Sequence, residues 1–111
     1  MRLLLHRAGD FDADFDQQYR WYLEQAGKEL AERFLEAVLF ALRSLAGQPD
    51  LGRRRKFRHP GLRNLRSFRV NPPFDKIRIF YRVTSDTLEA WSLMHGARDL
   101  PRRLVEPPGT E

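Results

Sequence analysis

The apolar positions of this chain change period near residue 50, which divides it into a helical first half and a stranded second half. Phe11, Phe15, Tyr19, Tyr22 and Leu23 recur at spacings of four, four, three and one. That recurrence predicts one apolar face on a helix opening at Gly9-Asp10. Asp10, Asp12, Asp14 and Asp16 crowd its first turns, where the helix dipole favours negative charge. Gly27 breaks the helix. A second stripe runs from Lys28 to about Ala46 and comprises Leu30, Phe34, Ala37, Val38, Ala41, Leu42 and Leu45, with Leu35 and Leu39 widening it. The wider stripe predicts the more buried helix. Gly47 and Pro49 end it, Gly as a left-handed cap and Pro because it cannot continue a helix. So short a break between two helices predicts an antiparallel hairpin.

Beyond residue 50 the period falls to two. Gln48 to Gly61 reads as a basic loop. Leu62 to Val70 alternates imperfectly, with Leu62, Leu65 and Phe68 set among arginines. Asn71-Pro72-Pro73 is a turn signal. Lys76 to Thr84 alternates well, placing Ile77, Ile79, Tyr81 and Val83 opposite Arg78, Phe80 and Arg82. After a turn at Thr84-Ser85-Asp86, Thr87 to His95 sets Leu88, Ala90, Ser92 and Met94 against Glu89, Trp91, Leu93 and His95. Arg2 to His6 reads as a short first strand. The order strand, helix, helix, strand, strand, strand predicts an α+β fold. Its N-terminal strand and antiparallel helical hairpin accompany a small twisted antiparallel β-sheet, with the hairpin on one face. One domain is expected over residues 1–100. Pro101, Pro107 and Pro108 mark residues 101–111 as a tail expected to be partly disordered.

Composition narrows the class. A chain of 111 residues, 41% of them hydrophobic, fits one domain with one core. The absence of cysteine excludes a disulfide framework and a thiolate metal site, and suits a reducing compartment. Met1 to Arg7 holds only three consecutive apolar residues, too few for a signal peptide. No run approaches the roughly 20 apolar residues of a membrane span, so a cytoplasmic protein with no membrane partner is expected. The net charge of +5 is uneven. Residues 1–50 carry six Lys/Arg against nine Asp/Glu, and residues 51–111 carry fourteen against six. Gly52 to Arg69 holds eight basic residues and no acid. Such a field attracts polyanions or an acidic protein segment, although a short basic run also serves as a solvated loop.

No phosphate-binding glycine loop, nucleophile elbow or His-Glu-x-x-His pair is present. His6, His59 and His95 lie far apart, and neither a metal nor a cofactor is expected. The remaining candidates lie at strand ends. Arg66, Arg78 and Arg82 fall on neighbouring strands, and His95 and Arg98 close the last one. Converging there, arginines would hold phosphates or carboxylates bidentately, and a histidine would move protons near neutral pH. Each residue also has a plainer role. On that plainer reading His95 before a glycine would serve a turn, Arg98 and Asp99 would be a local ion pair, and Arg78 would be an exposed strand residue that also protects an edge.

The Tyr19–Tyr22 helix is followed by the helix carrying Ala31-Glu32-Arg33-Phe34-Leu35-Glu36-Ala37-Val38, and then by Leu45, Pro49 and Gly52. Leu62-Arg63-Asn64-Leu65, Ile79-Phe80-Tyr81-Arg82-Val83 and Met94-His95-Gly96-Ala97-Arg98-Asp99-Leu100 come next. In these ordered pieces, from about Phe11 to Leu100, the chain resembles the ParE/RelE superfamily, the toxin halves of bacterial type II toxin–antitoxin modules, also called plasmid stabilisation proteins. The Tyr-Arg-Val strand with the His-Gly-Ala-Arg-Asp ending is its most specific pair and points to the ParE branch.

The resemblance implies a toxin in hetero-oligomeric complex with a cognate antitoxin, acting as an inhibitor of DNA gyrase without a chemical step. An alternative is a RelE-like endoribonuclease that cleaves messenger RNA on the ribosome. RelE-like members combine basic sheet residues with a late Tyr or a His–Glu pair. This chain has no tyrosine after Tyr81. Arg66, Arg82, His95 and Arg98 would then be the catalytic candidates, with Lys56 or Arg63 assisting, and no carboxylate partner for His95 is evident. A third alternative is an inactive toxin fold that serves only as an interaction module. Candidates for antitoxin or target binding are Arg63, Arg66, Arg78, Arg82, Trp91, His95 and Arg98.

Overall fold

Period and burial agree across the first half of the chain in the computed structural model, which describes residues 2–96. Helix α1 spans Gly9–Ala26 and α2 spans Lys28–Gly47. Gly27 alone separates them, at a φ of 93° that favours glycine. Its N–H donates to the Tyr22 carbonyl at 3.0 Å, and its own carbonyl accepts from Ala31 at 3.2 Å. α2 buries Ala31, Phe34, Val38, Ala41, Leu42, Leu45 and Ala46, whereas α1 fully buries only Phe11. The wider apolar stripe therefore does mark the more buried helix.

Phe34 is the hub between the helices and the sheet. Its ring centroid lies 5.3 Å from Phe15, 5.0 Å from Tyr22 and 5.5 Å from Phe74. Leu23, expected on the inner face of α1, is instead 39% exposed. Consecutive helical residues point about 100° apart, and Tyr22 takes the inward direction. Gly47 also departs from expectation. It is the last residue of α2, and the cap Gln48 has φ −142°, so no left-handed glycine ends this helix. Arg2 serves that end, donating from Nη1 to the Arg43 carbonyl at 3.1 Å, where the dipole favours a cation.

Five strands form one sheet in the order β1-β5-β4-β3-β2. They are β1 (Leu4–Arg7), β2 (Arg53–Arg54), β3 (Arg66–Arg69), β4 (Ile77–Thr84) and β5 (Thr87–His95). The sheet is antiparallel from β2 to β5, and β1 adds a parallel edge against β5, which makes the whole sheet mixed. β1 precedes the helical hairpin, so docking rather than a tight turn sets its direction. Two segments differ from their sequence patterns. The strand expected over 62–70 is confined to β3, because Pro60–Leu62 forms a 3₁₀ turn first. β2 lies inside the expected basic loop, and a two-residue strand has no period to read.

Both faces of the sheet are packed. The main core sets Phe11, Phe34, Val38, Ala41, Leu42 and Leu45 against Ile77, Ile79, Tyr81, Leu88, Ala90 and Leu93. On the opposite face Leu62, Leu65 and Phe80 form a smaller cluster, with Phe57, Trp91 and Met94 against it. Leu93, not Met94, therefore shares the face of Leu88 and Ala90. The cause is a bulge: Tyr81 pairs with Ala90 and Phe80 with Ser92, so Trp91 is the extra residue that resets the alternation. No described helix is long and apolar enough to cross a membrane. The tail 101–111 lies outside the described residues.

Candidate functional site

The face of the sheet away from the helices carries a group of cationic side chains. Cross-strand neighbours point to the same side. Arg69 pairs with Arg78, and Arg78 with Met94, a residue of the smaller cluster, so both arginines lie on this outer face. Arg53 pairs with Ser67, which pairs with Phe80, and the Arg55 guanidinium sits 6.0 Å from the centroid of the Phe80 ring. Arg53, Arg55, Arg78 and Arg69 thus form one stripe over β2, β3 and β4. Partial burial lowers the pKa of Arg55, and the charges of Arg78 and Arg53 lower it further. Beside the stripe is a shallow cleft of about 160 Å³ lined by Arg69, Asp75, Lys76, Arg78 and Gly96.

The expected constellation divides into separate places. Arg66 pairs with Tyr81 and lies on the helix side of the sheet. Its Nη1 donates to the Gly52 carbonyl at 2.9 Å, and its Nη2 lies 3.4 Å from Asp50. Arg82 is on the outer face but fully engaged. Its Nε donates to Glu89 at 3.1 Å, its guanidinium stacks 4.4 Å from the Trp91 ring centroid, and its Nη1 reaches the carbonyls of Gly61 and Arg63 at 3.4 Å. These bonds hold the segment around residues 61–63 to the sheet. Arg63 is exposed and contributes its carbonyl to that grip. Lys56 is exposed as well.

Arg78 lies four residues from Arg82 along β4, about 13 Å at strand rise, so the two cannot share one small ligand atom. His95 is exposed at the end of β5, opposite Ile77. Among the described residues it makes no side-chain hydrogen bond or ion pair. The histidine that serves a turn is His59, whose Nδ1 accepts from the Gly61 amide at 3.0 Å. Arg98 lies outside the described residues. Among those residues no group of three or more His, Asp or Glu side chains is placed to hold a metal ion.

The sequence pattern does not single out Arg53, Arg55, Arg69 or Lys76. Arg69 was within reach: Leu65, Ser67 and Arg69 alternate with Arg66 and Phe68, and the apolar Leu65 labels the outer side. Asp14 is marked by the sequence pattern only as a dipole-favoured acid. It also closes the edge of β5, its Oδ2 accepting from Ser92 Oγ at 2.8 Å and from the Leu93 amide at 3.1 Å. β1 ends at Arg7, opposite Ala90, so the Leu93 amide lies past the end of that strand.

Comparison with known proteins agrees with this architecture. The family model for the ParE toxin of type II toxin–antitoxin system, parDE, matches residues 6–100. A solved chain from the chromosomal ParDE TA system of P. aeruginosa superposes with a TM-score of 0.70 at 17% identity, covering 86% of this chain and 98% of that one. At that identity the likeness is one of fold. No curated protein sequence matches this chain.

Proposed function

Because the chain belongs to the ParE toxin family of type II toxin–antitoxin systems, we propose that it is a toxin that inhibits DNA gyrase and is neutralised by a cognate antitoxin in a hetero-oligomeric complex. The observation that carries this reading is the family match over residues 6–100. The chemistry of the outer face supports a binding mode of action. RNA cleavage needs a group to activate the 2′-hydroxyl, one to stabilise the phosphorane and one to protonate the leaving oxygen. Arg82 is committed to Glu89, Trp91 and two backbone carbonyls, and Arg66 faces the helices. His95 has no described carboxylate beside it to orient its ring. The cationic stripe instead suits an acidic segment that orders as it binds.

Induced expression with and without the adjacent reading frame tests this. Gyrase-linked DNA breaks while translation continues, reversed by the neighbouring gene, are the expected outcome. Immediate loss of translation with cut messages would establish the ribonuclease reading instead. Absence of any growth effect, with the partner still bound, would leave only an interaction module.

A further inference from the structure

The outer face contains an arrangement that folding alone does not favour. Arg69 and Arg78 stand directly opposite each other on β3 and β4, and like charges in that position destabilise a sheet. Lys76 joins them in the cleft, where Asp75 is the one acid among the described residues. Among the described residues, ion pairs engage Arg7, Lys28, Arg66 and Arg82, and none reaches Arg53, Arg55, Arg69, Lys76 or Arg78. Among the described residues no ion pair offsets this repulsion, with Asp75 the one acid lining the cleft, and a bound anion would relieve it.

We propose that the cleft of Arg69, Lys76 and Arg78 receives carboxylate side chains of an acidic peptide segment, with Arg53 and Arg55 extending the track across β3 to β2. This rests on reading the chain as the partner of an antitoxin. The guanidinium fork matches a carboxylate bidentately, and two opposed arginines with a lysine give one anion more than one donor set. The cleft, about 160 Å³ and open to solvent, has room for a carboxylate side chain. Single-stranded nucleic acid would also need exposed rings for stacking. On this face Phe80 is fully buried, Phe57 is half-buried, and Trp91 is covered by Arg82.

The test uses the full chain and two probes of equal formal charge, an alternating Glu-Ala peptide and a thymidine oligonucleotide, in the same salt. Binding is read by calorimetry, and the site by amide chemical-shift changes. The Arg69→Gln/Arg78→Gln protein is compared with Arg20→Gln/Arg33→Gln, which removes the same charge from exposed helix positions. The expected result is peptide affinity reduced about tenfold or more in the first variant, as for loss of a charge-assisted contact, with a much smaller loss in the second. The first variant should also melt at a higher temperature than the parent, because the repulsion is gone. Equal losses in both variants, shifts that map away from Arg69 and Arg78, or tighter binding of the oligonucleotide would overturn the proposal. An antitoxin arm separates this from the parent reading. If Arg69→Gln/Arg78→Gln remains toxic and is neutralised as well as the parent protein, the cleft assignment fails and the toxin reading stands. If the parent protein is not toxic, the toxin reading fails and the peptide arm still decides the cleft.

Discussion

The Tyr81 hydroxyl is hydrogen-bonded to the amide of Gly52, accepting from it at 2.9 Å while donating to the Pro49 carbonyl at 2.6 Å. Through this pair the end of α2 is tied to the middle of β4. A Cβ on residue 52 would lie 2.6 Å from Tyr81 Cε1, closer than two carbons approach without a clash. Arg66 completes the junction by donating to the Gly52 carbonyl and pairing with Asp50. The turn from which β2 and the cationic stripe start is therefore set by a glycine, a tyrosine and an arginine together.

Gly52→Ala should be the most damaging small substitution in this junction, costing about 2–4 kcal/mol through forced displacement of Tyr81. Tyr81→Phe should cost about 1–3 kcal/mol, because the buried Gly52 amide loses its acceptor. Urea unfolding of both variants checks this. An unchanged midpoint for Gly52→Ala would show that the loop retreats from Tyr81 without strain.

Alkaline stability follows from the same phenol. Burial pushes the Tyr81 pKa above the usual 10.0, with the Gly52 hydrogen bond and the Arg66 charge partly opposing it. Tyr22 is raised as well, again mainly by burial. A raised folded value means that the folded state keeps its proton after the unfolded chain has lost it. The contribution is complete below pH about 10 and is lost as pH rises towards the folded value. Urea midpoints between about pH 9 and pH 11 should fall for the parent and fall less steeply for Tyr81→Phe. Parallel slopes would exclude Tyr81 as a source of the loss.

The two helices, β4 and β5 were legible because each carries a sustained period in which burial and spacing agree. Phe34, Val38 and Leu45 or Ile77, Ile79 and Tyr81 leave little choice of face. Side assignments were less legible wherever a single residue resets the pattern. Trp91 is ordinary in sequence, yet as a bulge it exchanges Leu93 with Met94. Arg66 looks like Arg82, but one residue of register separates a helix-side anchor from an outer-face arginine. The stripe of Arg53, Arg55, Arg69 and Arg78 depends on which strands become neighbours, and β2 is too short to announce itself. The family resemblance was legible because it drew on ordered pieces along the whole chain, so local errors of face did not disturb it.

Asp14 should behave as a sheet residue although it belongs to α1. Asp14→Ala removes the acceptor of the Leu93 amide and the Ser92 hydroxyl, and should cost about 1–3 kcal/mol. Ser92→Ala should cost less, about 1 kcal/mol. A double-mutant cycle should return a coupling of about 0.5–1.5 kcal/mol between them. Hydrogen exchange at Leu93 gives a second readout. Its amide should exchange faster in Asp14→Ala and keep its protection in Ser92→Ala.

The last prediction concerns Arg82, which two readings of the chain treat differently. If its task is to clamp the 57–65 segment onto β4 and β5, stability should fall when it is shortened. Its side chain and that of Glu89 are 20% and 26% exposed, so their pair is only partly screened by water. Arg82→Ala should then cost about 1–3 kcal/mol, combining the lost carboxylate contact with the lost stacking on Trp91. Arg82→Lys should recover only part, because an ammonium has no planar fork to lie on the indole. The chain has two tryptophans, so a Trp21→Phe background leaves Trp91 as the sole indole. Its emission should shift to longer wavelength in Arg82→Ala, as water reaches the ring that the guanidinium covers. A ribonuclease would show the opposite separation, with Arg82→Ala losing message cleavage while its urea midpoint and Trp91 emission stayed at parental values. Loss of stability together with exposure of Trp91 instead fixes Arg82 as the clamp that keeps the outer face in shape.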